Sequence, residues 1–313
     1  LFPNGANILK IQIMINQAGV KDIFDIIYKN FRLDCTSYNE SYIERRINAR
    51  VMANNLKVND YESYAKLLAS NSLEQRNLYN ALTINVTQFF RDIKLWEFLS
   101  KNVLKKIIEE KTEKSEKMIQ IWSCGCSSGE EPYSIAIILR EILEAHKWLH
   151  PLIIGTDIDE QSFAKASKAV YDIGVFRSMP IEYFKKYFEQ LLENGVVKYE
   201  LDRSIKSMVQ FQKNNFLLDA PPIKKPDMIF CRNVIIYFKP EAKEKLMNMF
   251  YENLTDHGWL VLGKSEVLFT AKMQQRFYIY NVGERIYRKE RRKIQAKFNV
   301  ERRKNWWPGY VKQ

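Results

Sequence analysis

The chain has 313 residues, 46% hydrophobic and 27% charged, with a formal net charge of +12. That is an ordinary globular composition, long enough for one large domain or two smaller ones that each bury a core. No uninterrupted apolar run approaches the ~20 residues that span a bilayer, so an integral membrane protein is excluded. The positive charge is not a property of the body: residues 1–95 carry 12 basic and 9 acidic side chains, residues 96–284 carry 26 of each, and residues 285–313 carry 11 and 2. Nucleic-acid binding by the body is therefore not expected. The basic tail, residues 289–313, is compatible with a solvated end or with attraction to acidic partners or anionic surfaces.

The first residues, LFPNGANILKIQIMI, lack the charged start and small-residue cleavage site of a secretory signal, and a cytoplasmic protein is expected. The chain opens without Met, and residues 1–13 are set aside from the domain reading. Cys35, Cys124, Cys126 and Cys231 are scattered, with a CxC rather than a CxxC as their one close pair. They read as small buried residues. With three histidines besides, His146, His150 and His257, no metal site is expected.

Over residues 14–95 apolar side chains recur at helical spacing: Ile23, Ile26 and Ile27, then Tyr42, Ile43 and Ile47, then Tyr61, Tyr64, Leu67 and Leu68, then Leu78 and Leu82. A small helical domain is predicted, with caps at Asn59 or Asp60 and at Ser72 ahead of Glu74 and Gln75. TINVTQFFRD, Thr83 to Asp92, closes it, placing Asn85, Thr87 and Arg91 around Phe89 and Phe90. These polar residues also suit an exposed helix end. LWEFLSKNVLKKIIEEKTEKSEK then reads as one more helix running into a charged linker near residue 115.

From residue 118 strands and helices alternate: MIQIW, PYSIAIILREILEAH, PLIIGTDI, QSFAKASKAV, later KPDMIFC, PEAKEKLMNMFYENL and GWLVLGKSE, and a final hairpin near RFYIYNVGERIYRK. The fold class is α/β, a Rossmann-like domain over residues 96–288 whose mostly parallel sheet carries helices on both faces. Between about 180 and 214 the pattern breaks into IEYFKKYFEQLL, VVKYEL and MVQFQKN, read as a small β-subdomain inserted in it.

The segment IQIWSCGCSSGEEPYSIAIIL is a strand, a small-residue turn and a helix. Gly125 and Gly129 allow close backbone approach to a ligand, and Pro132 fits the first helical turn. The glycine spacing is that of neither common phosphate loop, and Glu130 and Glu131 would repel a pyrophosphate. A ligand with hydroxyls or a positive charge fits better, and S-adenosylmethionine has both. Ligands of open α/β sheets sit at the carboxyl ends of the strands. Three further strand ends stand out: Asp157 in GTDID, placed for ribose hydroxyls; Asn214 to Phe216, whose amide and backbone could flank an adenine edge; and CRNVIIYF, with Arg232, Asn233 and Tyr237.

NVTQFFRD, WSCGCSSGEEPYSIA, GTDID, FLL after Asn215 and CRNVIIYF, in this order, resemble the CheR-type chemotaxis methyltransferases, over about residues 20–288. The resemblance implies an S-adenosylmethionine-dependent enzyme that methylates glutamate side chains of chemoreceptors. It implies cofactor contacts from Asn85, Thr87, Arg91, Glu130, Asp157, Asn215, Phe216, Arg232 and Asn233, with Arg91 and Tyr237 lining the place of methyl transfer. It also implies that Arg45, Arg46 and Arg50 on the second helix of the small domain face an acidic receptor helix; a solvated face is the other reading of these three. The enzyme is expected to be a monomer, near the membrane only through its receptor. EQLLENGVVK lacks the more Gly-rich loop of family members that grip a receptor tethering peptide. A glutamate carboxylate is already ionised at neutral pH, its pKa being near ~4.3, so no general base is required. Two other readings remain: a methyltransferase of another substrate, against which CRNV stands where amino-methylating nucleic-acid enzymes have [DN]PP[YF], and a non-catalytic S-adenosylmethionine-binding scaffold.

Overall fold

A computed structural model of the protein describes residues 17–83, 86–268 and 271–289. Asn85, the segment 1–16 and the basic tail from residue 290 lie outside these. The amino-terminal part is four helices, α1 Val20–Phe31, α2 Glu40–Ala53, α3 Tyr61–Ser70 and α4 Ser72–Leu82. The periodic residues Ile23, Ile27, Tyr42, Ile43, Ile47, Tyr61, Tyr64, Leu68, Leu78 and Leu82 form one buried cluster. Asp60 caps α3, its Oδ1 accepting from Ser63 N at 3.2 Å. The cap of α4 is Asn71 rather than Ser72: Asn71 is extended, and its Oδ1 accepts from Glu74 N at 3.0 Å.

The next helix is continuous but not regular. α5 Ile93–Phe98 and α6 Lys105–Glu113 flank a π-helical stretch, Leu99–Leu104. A wider turn shifts the apolar stripe, and Leu95 and Trp96 before it, Leu99 at its start and Ile107 and Ile108 after it enter the same core as Phe89 and Phe90. That core belongs to the sheet. The helical domain therefore ends near residue 83, not at the expected 95, because Phe89 and Phe90 pack away from it.

The main sheet runs in the order β6-β2-β1-β7-β8-β10-β9. The first five strands, β6 Val209–Lys213, β2 His150–Asp157, β1 Met118–Cys124, β7 Met228–Cys231 and β8 Trp259–Leu262, are parallel. β9 Phe277–Asn281 and β10 Ile286–Lys289 close the edge as an antiparallel pair. Alternate residues feed two cores. Ile119, Ile121, Ile153, Met228, Phe230 and Val261 face one side, with Ile135 and Leu139 of α7 Glu130–Leu143. Trp122, Ile154, Ile229, Leu260 and Leu262 face the other, with Leu246 and Phe250 of a helix over Pro240–Asn253. This two-sided burial explains why these strands read as continuous apolar runs. Two short helices complete the main domain, α8 Glu160–Lys168 and, near the end, Ala271–Arg276.

The insertion is an antiparallel sheet in the order β3-β5-β4, made of β3 Val170–Tyr171, β4 Phe188–Glu193 and β5 Val196–Leu201. Asn194 and Gly195, both at positive φ, turn β4 into β5, the preferred residues of a two-residue hairpin. The expected limits of 180–214 need correction at both ends. β3 lies before residue 180, and Val209–Lys213 is an edge strand of the main sheet, with Asp157 opposite Lys213. Its alternation of inward and outward residues looks like an isolated strand because only one of its edges is paired.

The two domains are joined by backbone. Tyr38 pairs with Phe238 in an isolated antiparallel bridge, Asn39 N donates to Tyr237 O at 2.8 Å and Lys239 N to Ser37 O at 2.9 Å. Among the described residues no helix is long and apolar enough to cross a membrane.

Candidate active site

The carboxyl ends of β1, β2, β6 and β7 meet beneath the segment that precedes α5. After β1 the chain turns through CGCSSG and enters α7 at Gly129, whose φ is 93°. The left-handed conformation favours glycine, and a Cβ there would also press on the Ala166 and Phe211 side chains, 3.0 Å from each. Gly125 N and Cys126 N donate to Thr156 O at 2.8 and 2.9 Å, and Ser127 N to Asp157 Oδ2 at 2.7 Å. The other oxygen of Asp157 accepts from Asp159 N at 2.9 Å. Burial raises the Asp157 carboxyl and these backbone donors oppose the rise. One acid thus fixes the shape of the turn.

The two adjacent carboxylates of GEEP diverge. Glu130 is buried and receives Ser128 Oγ at 3.0 Å on each oxygen. Burial pushes its carboxyl up to about 7, against hydrogen bonds from its own backbone N–H, Ser128 and Thr87. Glu131 instead accepts from Ser123 Oγ at 2.8 Å and from Arg232 Nη1 at 3.2 Å. Arg232, only 2% exposed, also donates through Nη2 to Asp92 Oδ2 at 2.6 Å and to Arg91 O at 3.1 Å. Its side chain therefore clamps the Thr87–Asp92 segment to the sheet, and Nε is left buried without a partner among the described residues.

Thr87, Arg91, Ser127, Glu131, Arg232 and Asn233 line one cleft. Arg91 is half-buried, and among the described residues its guanidinium has one hydrogen bond, to Val86 O at 3.2 Å. Asn233 has a positive φ of 61°. Asn215 serves chiefly as a bridge: its Nδ2 donates to Arg32 O at 2.8 Å and its Oδ1 accepts from Leu217 N at 3.1 Å. Phe216 packs on Phe238, with ring centroids 6.0 Å apart. Tyr237 lies outside this cleft, with its ring centroid 4.8 Å from that of Tyr42 of α2, and Arg46 sits over the same Tyr42 ring, 5.4 Å from its centroid. Arg46 Nε is buried and, among the described residues, unpartnered, whereas Arg45 is exposed.

Arg50 is engaged within the helical domain. It grips the buried Glu74 through Nε at 2.9 Å and Nη2 at 2.5 Å, while Tyr64 OH donates to the same carboxylate at 2.6 Å. Its guanidinium holds α2 to α4. The pairing spans 24 residues of sequence, which is why helical spacing on α2 alone does not reveal it.

The cofactor suggested by the turn fits these residues. Among the described residues, Ser127 Oγ and Asn214 Oδ1 are buried oxygens with no partner, and the backbone N–H groups of both residues bond Asp157. Hydroxyls and amino groups of a nucleoside would satisfy them. Two residues that matter were not singled out by sequence: Asp92, which receives Arg232, and Glu266, buried behind Asn233. A lone acid in a polar loop carries no periodic signal.

The chain is similar to known proteins. Residues 85–285 match the family described as "CheR methyltransferase, SAM binding domain", and residues 18–83 match "CheR methyltransferase, all-alpha domain". A chemotaxis protein methyltransferase of Borreliella burgdorferi is 32% identical over 267 residues, covering 84% of this chain and 92% of the relative. Chemotaxis protein methyltransferase 2 of Vibrio cholerae is 31% identical over 245 residues, covering 77% of this chain and 83% of the relative.

Proposed function

Because the chain belongs to the CheR methyltransferase family, it is an S-adenosylmethionine-dependent protein-glutamate methyltransferase of chemotaxis, and we propose how its residues divide that work. The observation that carries the proposal is the single cleft shared by Thr87 and Arg91, the CGCSSG turn, and Asn233. When bound there, S-adenosylmethionine supplies a methyl group on a sulfonium. Asp157, Glu130, Thr87 and Asn233, with Asn85, hold its polar groups, and Asn215, Phe216 and Arg232 complete the walls. Arg91, loosely held in the cleft, reaches the acceptor carboxylate and fixes its position without burying it. A fully buried bidentate pair would blunt the nucleophile. Tyr237 aligns the acceptor from the helical-domain side. With the acceptor already ionised, catalysis is a matter of proximity and orientation.

Glu130 makes the cofactor step pH-dependent. With a folded pKa of about 7 against 4.5 in the unfolded chain, the native state keeps a proton that the unfolded state has lost between those values. Its contribution to stability therefore falls as pH rises through that window. A ligand that donates to Glu130 favours the ionised form, so binding should release a fraction of a proton near neutrality and tighten from pH 6 to 8, by up to about tenfold per unit below 7. Calorimetry in buffers of different ionisation heat reads this directly. Glu130→Gln should abolish the dependence, and proton uptake by the wild type would contradict it.

The proposed partner is a cytoplasmic helix of a methyl-accepting chemoreceptor, met by a cytoplasmic, monomeric enzyme through Arg45 and Arg46. Arg46 supports this by its place over Tyr42, whose ring meets Tyr237. Paired Arg45→Glu and Arg46→Glu should lower kcat/KM for a receptor fragment by roughly 10- to 100-fold while leaving cofactor affinity unchanged. Arg50→Ala should instead cost roughly 2–3 kcal/mol of stability, the penalty of orphaning a buried carboxylate, reduced because Arg50 is partly exposed. Equal receptor kinetics for the charge-reversed and wild-type enzymes would remove α2 as the docking face.

A further inference from the structure

Behind the cofactor cleft, one carboxylate ties together the ends of two neighbouring parallel strands. Glu266 is fully buried. Its Oε1 accepts from Val234 N and Ile235 N, each at 2.9 Å; its Oε2 accepts from Asn233 N at 2.9 Å and Gly263 N at 2.6 Å. Asn233 to Ile235 follow β7, and Gly263 follows β8, with Cys231 paired to Leu262 where the strands end. The two turns are in close contact: a Cβ on Gly263 would lie 2.8 Å from Asn233 N and 3.0 Å from Asn233 Nδ2. Four backbone donors converging on one carboxylate is more than a helix cap needs.

The geometry explains an otherwise costly conformation. Asn233 is left-handed, at φ 61°, a region that asparagine tolerates but that still requires support from its surroundings. Three successive N–H groups aimed at one acceptor supply that support, because the first of them belongs to Asn233 and the other two to the residues that lead into the turn Ile235–Tyr237. We infer that Glu266 is a positioning residue: it holds Asn233 in its left-handed conformation and sets the start of the turn that presents Tyr237. Cofactor contact and acceptor alignment are thus referred to the same buried acid, 33 residues from Asn233 in sequence. The inference rests on the roles proposed above for Asn233 and Tyr237.

Glu266→Gln keeps the shape but replaces one accepting oxygen with a donating NH₂, so two of the four N–H groups lose their acceptor. In the cofactor-free protein, amide exchange at Asn233, Val234 and Ile235 should quicken by at least ~10-fold while the β1 amides keep their protection. S-adenosylmethionine affinity, measured calorimetrically, should weaken by about tenfold in the wild-type background and by less than about twofold in an Asn233→Ala background, since the two residues act as one unit. Additive losses, or wild-type affinity and exchange in Glu266→Gln, would overturn the inference while leaving the site reading intact. Wild-type affinity in Asn233→Ala alone would overturn the site reading and the inference with it. If Glu266→Gln does not fold, Glu266→Asp, one methylene shorter with both oxygens kept, is put through the same cycle with the same expected non-additivity.

Discussion

Arg91→Ala is expected to lower kcat/KM for methyl transfer by roughly 10²- to 10³-fold, the scale of losing a group that orients the reacting partners. The loss should fall mainly on kcat with the receptor fragment. Stability should hardly change, because the guanidinium is half-buried and, among the described residues, has one long hydrogen bond, to Val86 O at 3.2 Å. The backbone of Arg91 would stay in place, since its carbonyl is gripped by Arg232 independently of the side chain. Initial rates at saturating cofactor, with thermal unfolding alongside, separate the two effects. Turnover like the wild type would remove Arg91 from the reaction.

Asp157→Ala should act on a different step. The carboxylate shapes the turn after β1 through Ser127 N and anchors the entry to α8 through Asp159 N, and it is the acid proposed for the ribose hydroxyls. Its removal leaves two N–H groups without acceptors, at roughly 1–3 kcal/mol each if they stay dry. Cofactor affinity should weaken about 100-fold, equivalent to about 2.7 kcal/mol, while kcat at saturating cofactor falls far less. Asp157→Asn, which keeps one oxygen for one of the two amides, should lie between. Calorimetric titration with S-adenosylmethionine reads the affinity directly, and an unchanged Kd in Asp157→Ala would show that the acid only shapes the turn.

How far the molecule was legible from its residues depends on what kind of signal each part leaves. The parallel strands announce themselves, because β1 and β2 are covered on both faces and so read as runs such as IQIW and LIIG. α1 to α4 are equally plain, each with one apolar stripe at helical spacing. β6 is less so: as an edge strand with alternating exposure it looks like part of the inserted sheet, and only its pairing with β2 assigns it to the main one. The π-helical turn at Leu99–Leu104 leaves no mark in a sequence whose periodicity it merely shifts.

The site shows the same division. Motifs that sit at strand ends, CGCSSGEE, GTDID and CRNV, were readable because topology dictates where ligands bind. The partners of their side chains were not. That Arg232 clamps Asp92 and Glu131, that Arg50 is engaged by Glu74, and that Glu266 supports Asn233 all depend on contacts between segments distant in the chain. Such pairs have no local spacing rule. Their charges are individually common, and only the fold makes them specific.

The most direct measurement is transfer of radiolabelled methyl from S-adenosylmethionine to chemoreceptor cytoplasmic fragments, followed by mild alkali. The account predicts label on receptor glutamates that alkali releases, as a methyl ester requires, and an initial rate of labelling lower by roughly 10²- to 10³-fold with Arg91→Ala at the same protein and cofactor concentrations. Cofactor binding without transfer, or label that survives alkali, would contradict it.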